Sequence, residues 1–309
     1  MLQRFAILSF LLGCGHVGGD ATPDATTPTP DGPPTPDAPS PDAPPVAPVC
    51  GNLAFTAGPF LDAVNAPGQQ DAFAGVSGDG RTLLSQRRAV CSGAFQLMLT
   101  DGLGVQVVTR DITALPGLAQ IDGTREGAVT LTADGLSLLG VAPGGQRLAL
   151  ATRSAIGATD FALAQATADF AAITVAAPGL LNNPVLSADR LELHYQLFNV
   201  GAGVDGIYQS VRASTSAPFP AGTRAPELEQ AQFFVTAISS DRLALFHEGP
   251  DGMVVLTRAR TSDAFANPNG ASPPPHVPGF RTRPTGDCQT LLGTCAGGCL
   301  NEDTCTMGH

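Results

Sequence analysis

The sequence contains no lysine and no tryptophan, only two tyrosines, and 14% charged residues; all 16 basic residues are arginine. Each scarcity excludes something. A formal charge of −11 repels phosphate and argues against a nucleic-acid partner. A coiled coil or helical bundle needs long glycine-free runs of Ala, Glu, Lys and Leu, which are missing here. No apolar run approaches the ~20 residues of a membrane-spanning helix. What is abundant is glycine and proline, at 36 and 27 residues. The composition is that of a turn-rich, mostly β protein.

The amino terminus reads as an export signal. Arg4 is the sole charge before Asp20 and is followed by the apolar run FAILSFLL, residues 5–12. A positive residue, a short apolar core and then small residues is the secretory pattern, and the core is too short to span a bilayer. It ends Leu11-Leu12-Gly13-Cys14, which resembles a bacterial lipobox, although Leu12 stands where a smaller residue is commoner. The resemblance implies cleavage after residue 13 and lipidation of Cys14; an ordinary signal with an incidental Cys is the alternative. Residues 13–18 also match G-x-G-x-x-G, but a dinucleotide site needs a strand before and a helix after that motif, and neither is expected there.

Residues 20–48 are low in complexity, with frequent Pro, five Asp and no basic residue. Such a tract cannot bury enough apolar surface to offset its ordering entropy. As an extended chain at ~3.1 Å per residue, its thirty or so residues reach about 90 Å. The expected organisation is a signal over 1–13, a lipidated Cys with a disordered linker over 14–49, and a folded domain over 50–309.

That domain repeats. Ser or Thr, one residue, then Asp and a Leu-rich strand recurs five times: Ser77 with Asp79, Thr132 with Asp134, Ser187 with Asp189, Ser239 with Asp241, and Thr285 with Asp287. The Asp residues are 55, 55, 52 and 46 apart. A second signature, a β-rich run into Arg, a polar loop and an aromatic, ends at Phe219 and Phe265, with a looser copy ending at Phe161. The Asp-Gly step predicts a tight hairpin turn, with Asp bonding nearby backbone and Gly taking positive φ. Two copies place Arg190 and Arg242 where Gly stands in others, and the last places Cys288. One unit of about 50 residues predicts four short strands, which must pack against neighbouring units.

The pattern resembles the TolB-like propeller repeat, whose signature is Ser-Pro-Asp-Gly before a hydrophobic strand. It is similar, more narrowly, to bacterial lipoproteins that carry a Pro/Asp tether ahead of such a propeller. The match covers residues 51–306 and departs in one respect: the Pro is replaced by Gly78, Ala133, Ala188, Ser240 and Gly286. WD-type repeats need Trp, and a sialidase-type Asp box needs Asp-x-Gly with an aromatic. The resemblance implies an all-β propeller of four-stranded blades. Five Asp signatures predict five blades, with six the alternative. The last blade is cut short after Asp287, so the alternating segment at residues 50–70 is expected to complete it.

With Cys14 lipidated, six Cys remain: Cys50, Cys91, Cys288, Cys295, Cys299 and Cys305. In an exported protein an even number predicts three disulfides, with 15 connectivities available. Pairing of Cys50 with Cys305 or Cys299 would close the ring. The gaps of six, three and five residues among the last four do not form the paired knuckles of a zinc site. His194 and His247 are offset by one residue in the repeat and are expected on opposite faces of their sheets, as structural residues. No metal or cofactor is expected.

The repeated Asp are expected to form turns rather than to catalyse. Asp71 and Glu126 each precede the hydroxyl of their repeat by six residues, where Leu181, Phe233 and Gly279 stand elsewhere. Two acids on adjacent blades are candidates for binding a cation or an amine at the ring mouth, or are simply solvated. No G-x-S-x-G elbow is present. The chain is therefore expected to be a non-enzymatic binding or scaffold module, monomeric, held to the bacterial outer membrane by lipid, with a protein or glycan partner. A glycoside hydrolase, which needs two carboxylates across a cleft and usually aromatic sugar platforms, is one alternative. A purely structural envelope protein is another.

Overall fold

The computed structural model of the chain describes residues 5–9, 69–89, 93–163, 168–201, 204–231, 235–249, 252–267, 276–277, 280–285 and 290–294. All the regular structure in them is β, apart from short 3-10 turns at Pro116–Leu118 and Pro226–Ala231. Strand β1 (Phe5–Ser9) precedes the Pro/Asp tract. The first sheet joins β2 (Gln69–Val76), β3 (Thr82–Ala89), β4 (Gln96–Asp101) and β5 (Val108–Asp111). The second joins β6 (Val129–Leu131), β7 (Ser137–Val141), β8 (Leu148–Thr152) and β9 (Ala162–Leu163). The third joins β10 (Leu180–Leu186), β11 (Glu192–Phe198), β12 (Gly206–Val211) and β13 (Thr223–Arg224). The fourth joins β14 (Val235–Ile238), β15 (Ala244–Gly249), β16 (Gly252–Thr257) and β17 (His276–Val277). In the fifth, β18 (Phe280–Pro284) pairs with β19 (Thr290–Thr294), and β1 takes the other side of β19.

Every pairing is antiparallel and sequential within the first four sheets, so each is a meander of one repeat. The sheets do not pair with one another through hydrogen-bonded ladders; they stack face to face. Their first strands touch in the order β2, β6, β10, β14, β18, and β18 touches β2. That closed circuit is the arrangement of a β-propeller.

Stacking explains the Leu-Leu pairs after each Asp. A sheet covered on both faces needs apolar side chains on both, so alternation gives way to continuous apolar runs. Leu138 lies in the core between the first and second sheets, while its neighbour Leu139 lies in the core between the second and third. All five residues of β7 are buried. A third core, containing Val185, Ile207, Leu245 and Val254, joins the third and fourth sheets.

The innermost strands are irregular. Register shifts interrupt β2 between Phe73 and Gly75, β10 between Asn182 and Val185, β14 between Val235 and Ala237, and β18 between Phe280 and Arg283. Bulges of this kind bend a strand and raise its twist. At the first of them Gly75 permits the close approach of β6, because a Cβ there would lie 2.8 Å from that of Leu131.

The strand beside β19 corrects an expectation. Residues 50–70 were expected to complete the last sheet, but the pairing strand is Phe5–Ser9, the apolar core of the presumed signal. Five apolar or small residues in extended form satisfy an edge as well as any strand from the folded domain. Residues 51–68 lie outside the described residues, as do all seven Cys and every disulfide expectation built on them.

Candidate functional site

The repeated Ser/Thr-x-Asp segments form one structure four times. Ser77 Oγ donates to Asp79 Oδ1 (2.5 Å) and accepts from the amide of Thr82 (2.9 Å), while Asp79 Oδ1 also accepts from the amide of Arg81 (3.0 Å). Thr132 and Asp134 do the same with the amides of Ser137 and Leu136. Ser187 with Asp189, and Ser239 with Asp241, complete the set. In the fifth copy Thr285 is buried and Asp287 lies outside the described residues. Burial alone would raise the pKa of Asp79 and Asp134, but the hydroxyl and amide donors outweigh it and hold both below the usual carboxylate value. These acids organise turns.

The turn itself is longer than the two-residue step expected. Only the residue after Asp takes positive φ: Gly80 at 71°, Gly135 at 70°, Arg190 at 60° and Arg242 at 60°. A left-handed arginine is strained by roughly 1 kcal/mol. Both arginines recover it by reaching the Asp of the preceding turn: Arg190 to Asp134 at 2.6 Å, and Arg242 to Asp189 at 3.2 Å.

The second signature is a latch. Arg153, Arg212 and Arg258 are each buried, and each Nε donates to the carbonyl after its own repeat's Asp, that of Gly135, Arg190 and Arg242 respectively. Each guanidinium lies over the aromatic that ends the signature, Phe161, Phe219 and Phe265, at 5.9, 4.4 and 4.2 Å from the ring centre. Its remaining nitrogens reach back to an acid: Arg153 to both oxygens of Asp101, Arg212 to Asp169, Arg258 to Glu192.

Glu192 is the most deeply buried of these acids. Its Oε2 accepts from Arg258 (2.6 Å); its Oε1 accepts from Gln209 (2.6 Å) and from His194 Nε2 (2.9 Å). Burial would raise its pKa, yet the bonds from His194 and Arg258 depress it from 4.5 to about 2. Asp101 is lowered for the same reason, with Arg153, Thr82 and Arg110 overcoming desolvation. Neither acid was singled out in the sequence, because neither falls in the phase of the two signatures. The spacing from Arg to the aromatic was the only visible trace of the latch.

The acids that were singled out behave differently. Asp71 is 1% exposed and is gripped by Arg87, opposite it on β3, at 2.7 Å. It is a buried ion-pair member rather than an acid open to a ligand at the mouth. Glu126 is half-buried in the turn before β6. His194 and His247 are both fully buried. They lie on opposite faces of their sheets as expected, but these sheets are neighbours, so both face the same core: Val185 opposite His194 and Val254 opposite His247 belong to it. Among the described residues no group of three His, Cys, Asp or Glu is placed to hold a metal ion.

At the Asp-turn end the first strands surround a cavity of about 50 Å³. Gly78, Ala133, Ala188 and Ser240, the residues between hydroxyl and Asp, line it together with Leu131 and Thr285. That is room for a few waters. Among the described residues that line it none is acidic.

The sequence matches no protein-family model and no curated relative. Solved structures similar to it include TolB from Acinetobacter baumannii, at 12% identity and a TM-score of 0.40, over 79% of this chain and 59% of that one. The β-propeller domain of Cps50 (Swd1) from Myceliophteria thermophila is similar at 14% identity and a TM-score of 0.34, over 74% and 84%. The α-L-arabinofuranosidase PaAbf62A from Podospora anserina is similar at 14% and 0.31, over 67% and 64%. The chain thus spans less than two thirds of the length of TolB.

Proposed function

We propose that the chain is an exported, lipid-anchored, five-bladed propeller that serves as a non-enzymatic binding or scaffold module at the bacterial cell envelope. The observation that carries this is the closed circuit of first strands, with both repeated signatures spent on turns and latches and no acid among the described residues that line the central cavity. A repeat protein whose polar residues hold the ring together offers a rigid surface to a partner. Five sheets in one circuit favour five blades over six. The anchor rests on Arg4, the apolar run and Cys14, and the Pro/Asp tract spaces the ring from the membrane. Cleavage before Cys14 removes Phe5–Ser9 from beside β19. The six remaining Cys pair as disulfides in the same compartment.

The test is the fate of Cys14. The full chain carries lipid on Cys14 and stays in the membrane fraction, while Cys14→Ser is released or left unprocessed. Processed, lipid-free chain that still sediments with membranes overturns the anchor. Affinity capture from membranes with the tract intact then identifies the partner.

A further inference from the structure

A second cavity, of about 250 Å³, opens beside the turn between β7 and β8, away from the Asp turns and the latches. Its apolar wall is made by Ala142, Leu148 and Phe170, and Arg147, Gln120 and Thr174 supply polar groups. The wall is fixed before any ligand arrives. Leu148 and Phe170 belong to the core between the second and third sheets, and Phe170 stacks on Phe219 with ring centres 5.5 Å apart. An antiparallel bridge joins Arg147 to Thr174, and the amide of Val175 donates to the carbonyl of Gln146 beside it (3.2 Å).

Arg147 stands apart from the arginines of the latches and turns. It is exposed, and among the described residues no hydrogen bond or ion pair engages its guanidinium. Asp122, whose amide donates to the carbonyl of Val141 at the start of the turn, is already bonded by Thr124 and lies 3.9 Å from Arg125. An unspent cation at the rim of a preformed apolar cavity selects for a ligand that is anionic at one end and apolar at the other.

We propose that this cavity binds a small organic carboxylate with a short apolar tail. The tail lies against Phe170 and Leu148, and Arg147 pairs with the carboxylate, with the Gln120 amide and the Thr174 hydroxyl as neutral donors on the same rim. A planar guanidinium matches a carboxylate through two parallel hydrogen bonds. The volume admits one short aliphatic or aromatic acid. The proposal is independent of the membrane anchor and of the blade count.

Calorimetric titration of the full chain with hexanoate tests it, with hexanamide as the uncharged control. Saturable binding of hexanoate is expected, weakened about tenfold or more by loss of the charge, either in hexanamide or in Arg147→Gln. Arg147→Lys keeps part of the affinity, and Ala171→Phe, which fills the cavity from its exposed rim, abolishes binding. Melting curves of all three variants confirm that the fold is retained. Absence of saturable binding, equal affinity for hexanamide, or full affinity in Arg147→Gln overturns the proposal.

Discussion

Two boundaries of the ring use the same latch with different acids. Between the second and third sheets Arg212 meets Asp169, whose side chain is 39% exposed. Between the third and fourth sheets Arg258 meets Glu192, 1% exposed and further bonded by His194 and Gln209. The arginine, its carbonyl and its stacked ring are common to both. The comparison separates what a latch needs from what burial adds. The carbonyl bond and the ring position the guanidinium anywhere, but only a buried acid makes the boundary depend on charge.

The largest expected contrast follows from removing each arginine. Arg258→Ala strands a buried carboxylate and is expected to cost about 3–5 kcal/mol. Arg212→Ala leaves an acid that water can solvate, and its cost is about 1–3 kcal/mol from the lost carbonyl bonds and packing. Urea unfolding of both variants measures the difference; equal losses would mean that exposure of the acid does not govern the latch.

Acid titration probes the same contrast in the unmodified protein. Glu192 titrates at about 2 in the fold against 4.5 when free. Its stabilisation is therefore complete above about pH 4.5 and is lost as pH falls toward 2, a contribution on the order of 3 kcal/mol. Thermal melts between pH 2.5 and 6 are expected to fall steeply for the wild type and less steeply for Glu192→Gln. A parallel slope in the two proteins would remove Glu192 from the explanation.

The turns give a smaller effect. Arg190→Gly relieves left-handed strain but loses a half-exposed ion pair, and the two nearly cancel, to within about 1 kcal/mol. Arg242→Gly is expected to cost more, because Arg242 also lies 4.0 Å from Glu192. The smallest change is expected from deleting residues 22–45. A segment with no core to lose should leave the melting temperature almost where it was, at either boundary.

The strands and the repeat could be read directly, because Ser77, Thr132, Ser187 and Ser239 recur at a fixed phase and each sits in the same hydrogen-bonded turn. The role of Arg190 and Arg242 could not. Sequence marks them as exceptions to glycine, while the compensation lies in Asp134 and Asp189, more than fifty residues away. Asp101 and Glu192 were invisible for a related reason: they pair across sheets, and nothing local distinguishes an acid that will be buried by its neighbour. Asp71 misled because equal spacing from a hydroxyl fixes a position along a strand, but its partner Arg87 comes from the next strand. The cavity beside Arg147 rests on Phe170 and Thr174, which belong to a connection without repeat character.

The ion pairs described between sheets share a direction. Arg153, Arg190, Arg242 and Arg258 lie later in the chain than the acids they grip, and each grips the sheet made just before its own. A chain emerging from its amino terminus can thus fasten the second, third and fourth sheets each to the one already formed, without waiting for the residues still to come. The direction of assembly is favoured by which partner carries the guanidinium, and a circular permutant that begins between β13 and β14 would have to fold its first sheet with Glu192, the acid of the Arg258 latch, still unmade.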